Sequence, residues 1–125
     1  MTLTCAIIDD EPLAISLLES YVNKTPFLRL TAKFNSALEA LPVLSAQPVE
    51  LLFLDIQMPD MDGYETIKIM RERGYVLPVV ALTAHAMQSD KQRCLDAGMD
   101  AYLSKPFKQA LLFDTIHSLL PEYYR

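Results

Sequence analysis

Short apolar segments alternate with helical segments five times along this chain. Three segments are almost entirely apolar and each ends at a polar residue: Cys5–Ile8, Val49–Leu54 and Val79–Leu82. Leu28–Phe34 instead alternates apolar and polar residues, and Ala101–Ser104 is a short fifth segment. Continuous apolar runs are typical of strands buried on both faces, whereas alternation is typical of a half-exposed strand. We therefore predict five strands, with the second at an edge of the sheet.

The first two helices are indicated by start signals and by apolar spacing. Pro12 occupies a position that the first turn of a helix tolerates, and apolar residues follow at helical spacing at positions 13, 17 and 21. Ser36 and Glu39 form a capping-box pattern at the start of the second helix. Pro42 lies inside that helix, so we expect it to kink or shorten the helix.

The last three helices are indicated by their ends and by one apolar face. A helix over residues 64–73 is closed by Gly74, and a helix over residues 88–97 stops at Gly98, because glycine is favoured just after a helix. The final helix carries three apolar residues on one face: Leu112, Ile116 and Leu119. The alternation predicts a single α/β domain over residues 1–125, with a parallel sheet covered on both faces and right-handed crossovers.

Composition narrows the class of protein. The chain has 125 residues, 51% of them hydrophobic, and 11 basic against 16 acidic residues give a net charge of −5. This composition is ordinary for a globular domain, and the lack of a Lys/Arg cluster disfavours binding to nucleic acid or to an anionic membrane. The sequence has no signal-like start and no apolar run of membrane-spanning length, so we expect a cytoplasmic location. Cys5 and Cys94 are far apart and form no metal or redox motif.

Residues that carry chemistry follow four of the five predicted strands. Asp9 and Asp10 come after the first strand, Asp55 after the third, Thr83 after the fourth and Lys105 after the fifth. In an open parallel sheet these strand ends meet at one edge, where ligands bind. Taken singly, either early aspartate could cap the first helix, the third aspartate and the threonine could be loop residues, and the lysine could be a surface residue. Their shared position favours one common site.

Three carboxylates at one edge of a sheet would repel each other. At a separation of about 5 Å and an effective dielectric constant of about 20, each pair costs on the order of 3 kcal/mol. A divalent cation offsets this repulsion, and oxygen ligands favour Mg²⁺ over zinc. With Mg²⁺ and Lys105 neutralising phosphoryl oxygens and Thr83 donating a hydrogen bond, Asp55 is equipped to act as a nucleophile in phosphoryl transfer.

Four motifs resemble the receiver domain of two-component response regulators. They are I-I-D-D-E-P at residues 7–12, F-L-D-I-Q-M-P-D-M-D-G at 53–63, A-L-T-A at 81–84 and S-K-P-F at 104–107. The resemblance covers the whole chain and implies a flavodoxin-like, three-layer (βα)5 sandwich with strand order 2-1-3-4-5. It also implies a signalling domain that takes a phosphoryl group from a histidine kinase or a histidine phosphotransfer protein. Such a domain catalyses only its own phosphorylation and dephosphorylation and is not an enzyme that acts on a separate substrate.

The resemblance assigns roles position by position. Asp55 would be the phosphoacceptor. Asp10 and Asp55 would bind Mg²⁺ directly, together with the backbone carbonyl of Gln57, while Asp9 would act largely through water. Thr83 would move onto the phosphoryl group, which makes it one part of a switch.

The remaining roles concern the fifth strand and the loop after it. Lys105 would pair with the phosphoryl group, and its bond to the following proline is expected to be cis. Tyr102 matches an aromatic switch position whose rotamer follows Thr83, although as a residue alone it could be a surface tyrosine of an edge strand. Partners, or a second copy in a homodimer, would use the face of the fourth helix, fifth strand and fifth helix around Lys91, Tyr102 and Lys108.

The two halves of the chain resemble different groups of receivers. Residues 8–14 and 18–27 are similar to receivers of LytTR-type regulators, whereas residues 82–107 are similar to receivers attached to hybrid sensor kinases. Such a mixture could be natural, recombined or engineered, with the join near Gly63. His85 and His117 lack the context of a phosphotransfer histidine, so we predict that both are surface residues.

Three alternatives remain at this point. A haloacid-dehalogenase-type phosphatase would need an aspartate two residues after its nucleophile, where Gln57 stands. A flavodoxin-type FMN module would need a phosphate-cradling loop after the first strand, where Asp9 and Asp10 stand. A receiver-like domain that serves only for interaction keeps the same residues, so only a phosphorylation assay separates it from a working receiver.

Overall fold

The computed structural model describes residues 2–59, 61–84 and 88–120, and within them five strands alternate with five helices. The elements are β1 (Leu3–Ile8), α1 (Pro12–Asn23), β2 (Leu28–Phe34), α2 (Ala37–Ala46), β3 (Leu51–Asp55), α3 (Gly63–Glu72), β4 (Val79–Thr83), α4 (Gln88–Ala97), β5 (Ala101–Ser104) and α5 (Gln109–Leu119). Neighbouring strands are parallel, and their order across the sheet is β2-β1-β3-β4-β5. The predicted flavodoxin-like fold is confirmed.

The sheet is buried between two layers of helices. Because successive side chains of a strand point to opposite faces, Phe53 joins one core cluster, whereas Leu52 and Leu54 join the other. Every residue of β3 and β4 is buried, as their continuous apolar runs predict. β2 lies at an edge and alternates between exposed and more buried positions, which confirms its prediction as an edge strand.

The second helix begins where the sequence predicts but is not held by the predicted capping box. Ser36 is the N-cap residue of α2, yet its side chain makes no capping hydrogen bond. The helix is anchored instead by apolar burial: Ala37, Ala40, Leu41 and Leu44. Pro42 lies inside the helix, which continues for four residues beyond it. The carbonyl that a proline leaves unpaired belongs to the residue four positions earlier, here Leu38, which lies on the exposed side of the helix.

One arginine ties together several segments at the end of the sheet opposite the predicted site. The guanidinium of Arg71 donates hydrogen bonds to the carbonyl of Gly98 from Nε (3.1 Å) and Nη2 (2.8 Å). Nη1 donates to the carbonyls of Tyr75 and Leu77, both at 2.9 Å. Nη2 also lies 3.0 Å from the carboxylate of Asp100. The end of α3 is thus fastened to the end of α4, to the loop before β4 and to the start of β5.

Two helix ends and one surface position agree with the sequence predictions. Gly74 and Gly98 follow α3 and α4 with φ angles of 88° and 112°, in the left-handed region that glycine adopts without strain. His117 is exposed on α5, as predicted, whereas His85 lies outside the described residues. None of the helices in the described ranges is long and apolar enough to cross a membrane.

Candidate phosphoacceptor site

Three carboxylates meet at the carboxyl ends of β1 and β3. The two strands are adjacent and parallel, with Ile8 paired to Leu54, so the residues that follow them emerge side by side. One carboxylate oxygen from each of Asp9, Asp10 and Asp55 lies within 4.8 Å of the other two. The side chains differ in environment, because Asp9 and Asp55 are buried (0% and 3% exposed) while Asp10 is exposed.

Lys105 supplies the positive charge beside these acids. Its Nζ atom lies 2.7 Å from Oδ2 of Asp9 and 3.7 Å from Oδ1 of Asp55. The backbone N–H of Lys105 donates to the carbonyl of Thr83 at 2.6 Å, which joins the end of β5 to the end of β4. The bond between Lys105 and Pro106 is cis, as the resemblance implies.

Short-range hydrogen bonds orient the two buried carboxylates. Oδ1 of Asp9 accepts a hydrogen bond from the backbone N–H of Glu11 at 2.9 Å, and Oδ1 of Asp55 accepts one from the N–H of Gln57 at 3.2 Å. The N-cap residue of α1 is Glu11, so the alternative in which Asp9 or Asp10 caps that helix is wrong. Gln57 itself is exposed, and its backbone is held beside the carboxylate of Asp55.

Burial and neighbouring charges shift the pKa values of both Asp55 and Lys105. Burial raises the pKa of Asp55 from its ordinary value of 3.8 to about 8, and the charge of Asp9 adds to the rise, while Lys105 opposes it. Burial lowers the pKa of Lys105, but the hydrogen bond to Asp9 and the charges of Asp55 and Asp9 outweigh it, so the pKa lies above its ordinary value. Lys105 does not fully offset the effects of burial and of Asp9, so Asp55 holds a proton more tightly than an ordinary aspartate does.

This arrangement fits a divalent cation. The clustered ligand atoms are all carboxylate oxygens, which are hard ligands that suit Mg²⁺. A bound cation would favour the ionised form of Asp55, which burial disfavours. Asp9, Asp10 and Asp55 are the residues of the described chain that form this cluster.

The two predicted switch residues lie on neighbouring strands. Thr83 is fully buried at the end of β4. The neighbouring strand β3 carries Asp55, and Asp55 pairs with Leu82, the residue before Thr83. Tyr102 pairs with Ala81 in the β4–β5 register and is half-buried. The centroid of its ring lies 5.5 Å from Nζ of Lys91 on α4.

Sequence reasoning missed the role of Gly63, the first residue of α3. A Cβ atom there would lie 2.6 Å from Cα of Ile56 and 2.8 Å from the carbonyl oxygen of Asp55. The N–H of Gly63 donates to the carbonyl of Ile56 at 3.1 Å, and the side chain of Asp62 caps the helix by accepting from Glu65 N–H at 2.8 Å. Glycine at a helix start is the signal that could have revealed this close approach.

Comparisons with known proteins agree with the fold. The family described as response regulator receiver domain matches residues 5–117. Sensor histidine kinase RcsC of Salmonella typhimurium is 39% identical over 110 residues, which are 88% of this chain but 11% of the kinase. Heme response regulator HssR of Staphylococcus saprophyticus is 33% identical over 120 residues, 96% of this chain and 52% of that protein. The chain thus spans only part of these relatives.

Among solved structures, the receiver domain of sensor histidine kinase PA1611 from Pseudomonas aeruginosa has a TM-score of 0.82 and 29% identity. The alignment covers 97% of this chain and 99% of that domain, which has a magnesium ion coordinated in its active-site cleft. The relatives include both sensor kinases and response regulators, while the likeness of the first half to LytTR-type receivers stays a prediction. By the family match and by its fold, this chain belongs to the receiver-domain family of two-component response regulators.

Proposed function

We propose that this receiver domain, residues 1–125, accepts a phosphoryl group on Asp55 from a phosphohistidine, and that it requires Mg²⁺ to do so. The donor would be a histidine kinase or a histidine phosphotransfer protein. The observation that carries the proposal is the buried carboxylate of Asp55, placed within 4.8 Å of Asp9 and Asp10 oxygens and 3.7 Å from the Lys105 ammonium. A cytoplasmic location stays a prediction.

The residues present fit the metal in a defined way. Asp10 and Asp55 would hold Mg²⁺ directly with the carbonyl of Gln57, and Asp9 would act through water. The exposure of Asp10 and the pairing of Asp9 with Lys105 support this division. When bound, Mg²⁺ would neutralise phosphoryl oxygens and favour the ionised form of Asp55. The magnesium ion in the PA1611 receiver domain supports the same choice of metal.

The transfer itself is a displacement at phosphorus. An oxygen of ionised Asp55 forms the new P–O bond while the P–N bond of phosphohistidine breaks, and the electron pair returns to the imidazole nitrogen, which takes up a proton. Lys105 is placed to move its ammonium from Asp9 toward the phosphoryl oxygens, because it already lies 3.7 Å from Asp55. Gln57 N–H keeps the nucleophile oriented through its hydrogen bond.

Phosphorylation would be reported through Thr83 and Tyr102. A phosphoryl group at Asp55 gives the Thr83 hydroxyl a new acceptor, and a shift of Thr83 changes the space into which the Tyr102 ring can turn. Tyr102 lies between α4 and α5 on a surface groove that also includes the partly exposed side chains of Leu95 and Leu111. This α4-β5-α5 face is where we propose that a partner or a second copy binds.

Intact mass spectrometry after incubation with Mg²⁺ and acetyl phosphate tests the proposal. Wild type is expected to gain the mass of one phosphoryl group in a Mg²⁺-dependent, acid-labile form, whereas Asp55→Asn gains none. Asp114→Asn is the matched control, because it removes an exposed carboxylate on α5 and should leave the adduct unchanged. A folded wild type that gains no adduct, or an adduct that persists in Asp55→Asn, would mean that the domain serves only for interaction or uses another acceptor.

A further inference from the structure

The loop that carries Lys105 is anchored on its far side by a tyrosine of α1. The hydroxyl of Tyr21 donates a hydrogen bond to the backbone carbonyl of Phe107 at 3.1 Å, across 86 positions of sequence. The two rings also contact each other, with centroids 5.9 Å apart. Phe107 is 8% exposed and belongs to the core cluster that includes Leu18 and Val22 of α1.

These contacts connect α1, the loop after β5 and the acid cluster to one another. α1 begins just after Asp9 and Asp10, and its last turns carry Tyr21, which holds Phe107. Two residues before Phe107, Lys105 reaches back to Asp9 at 2.7 Å. On the other side, the Lys105 N–H is bound to the carbonyl of Thr83 at 2.6 Å. The loop is therefore fixed at one point by β4 and at a second point by α1.

We infer that Tyr21 is a positioning residue for Lys105, and that its hydroxyl sets how well the lysine meets the phosphoryl group on Asp55. This inference rests on the proposed function. The hydroxyl fixes the carbonyl of Phe107 relative to α1, so its loss removes the polar contact that holds the far side of the loop, while the Lys105 N–H, the ion pair with Asp9 and apolar packing remain. The lysine then samples more positions, and fewer of them place the ammonium beside the reacting phosphoryl group.

Mg²⁺ affinity and the positioning of Lys105 depend on different segments of the chain. The proposed Mg²⁺ ligands are Asp10 after β1, Asp55 at the end of β3 and Gln57 after β3, and none lies on the loop that Tyr21 anchors. Removing the Tyr21 hydroxyl should therefore leave Mg²⁺ affinity unchanged and slow only the step that depends on Lys105. A general loss of packing would instead lower the Mg²⁺ affinity and the rate together.

The test is a double-mutant cycle on the rate of phosphorylation by acetyl phosphate, measured by intact mass at saturating Mg²⁺. Tyr21→Phe keeps the ring and removes the hydroxyl, and we expect it to slow the rate by about three- to tenfold, the effect of one lost hydrogen bond. In the Lys105→Met background the same change should alter the rate less than about twofold, because the effect acts through the lysine. The matched control is Tyr75→Phe in the loop before β4, which removes a hydroxyl that contacts Ser45 of α2.

Two outcomes would overturn the inference: an unchanged rate in Tyr21→Phe, or the same slowing with and without Lys105. A Mg²⁺ affinity that falls along with the rate would also count against it. If wild type gains no adduct, the proposed function fails, and ¹⁵N relaxation decides the structural claim independently. The order parameters of the Lys105 and Phe107 amides should fall in Tyr21→Phe and not in Tyr75→Phe, and equal values in all three proteins would refute the anchoring role.

Discussion

Asp55→Asn keeps the shape of a buried side chain and removes its negative charge. Asparagine retains an oxygen that can accept the N–H of Gln57, now 3.2 Å from Oδ1 of Asp55. It loses the attraction to Lys105, but that lysine stays paired with Asp9 at 2.7 Å. The substitution removes the cost of burying a charge at position 55 and the repulsion from Asp9, and it loses few favourable contacts. The variant is therefore expected to be more stable than wild type when no metal is bound.

The magnitude follows from the pKa of Asp55, which is raised from 3.8 to about 8. A folded-state pKa above that of the unfolded chain means that the folded domain binds the proton more tightly. The contribution of Asp55 to stability is therefore fully present below about pH 4 and is lost as the pH rises toward 8. At about 1.36 kcal/mol per unit, wild type should lose about 3 kcal/mol relative to Asp55→Asn between pH 5.5 and pH 8.

Urea unfolding monitored by circular dichroism, in EDTA at pH 5.5 and pH 8, measures this difference. The comparison between the two proteins cancels the titration of groups that they share. Added Mg²⁺ should narrow or reverse the gap, because a ligand that binds only the folded state stabilises it and Asp55→Asn has lost one carboxylate ligand. A gap that stays constant between the two pH values, or an Asn variant that is less stable at pH 8, would refute the reasoning.

Three further substitutions, one of them with a matched control, probe other features by urea unfolding. Gly63→Ala should destabilise the domain by about 1–3 kcal/mol and lower its Mg²⁺ affinity, because the new methyl group collides with backbone at the end of β3; an unchanged affinity would contradict this. Arg71→Met should cost about 2–3 kcal/mol, since it leaves carbonyls without their donor, whereas Lys33→Met, which breaks an exposed ion pair, should cost less than about 1 kcal/mol; equal costs would show that the hydrogen bonds of Arg71 do not stabilise the fold. Lys105→Met should cost about 2 kcal/mol or more in EDTA and recover part of it in Mg²⁺, because it leaves the buried charge of Asp9 unpaired; a neutral result would show that the pair does not stabilise the fold.

The strands of the sheet and the residues that meet at its edge could be predicted because both depend on the local pattern of apolar and polar residues. Continuous apolar runs mark buried strands, and in a parallel sheet their carboxyl ends share one edge, so Asp9, Asp55, Thr83 and Lys105 had to converge. The motif resemblance added the strand order and the cis bond before proline, both of which agree with the structure. The roles of these residues in phosphoryl transfer stay predictions.

What the pattern could not supply is the pairing of side chains across the fold. Lys105 makes its closest contact with Asp9 and not with Asp55, a choice that depends on the path of the loop after β5. The hydrogen bond from Tyr21 to Phe107 likewise joins residues whose spacing in sequence carries no signal. The predicted capping hydrogen bond of Ser36 is absent, and buried apolar side chains hold α2 in place instead. Such contacts follow from packing over long range, which periodicity does not encode.

The ion pair between Lys105 and Asp9 joins residues 96 positions apart. During synthesis, all three aspartates leave the ribosome well before the lysine does, and their counter-charge arrives only with the last strand. Until β5 docks, the cluster is a set of acids with no ammonium beside them, and the hydrogen bond that orders the lysine backbone on β4 cannot form. Under the proposed function, the site would become competent to react only when the fold is complete.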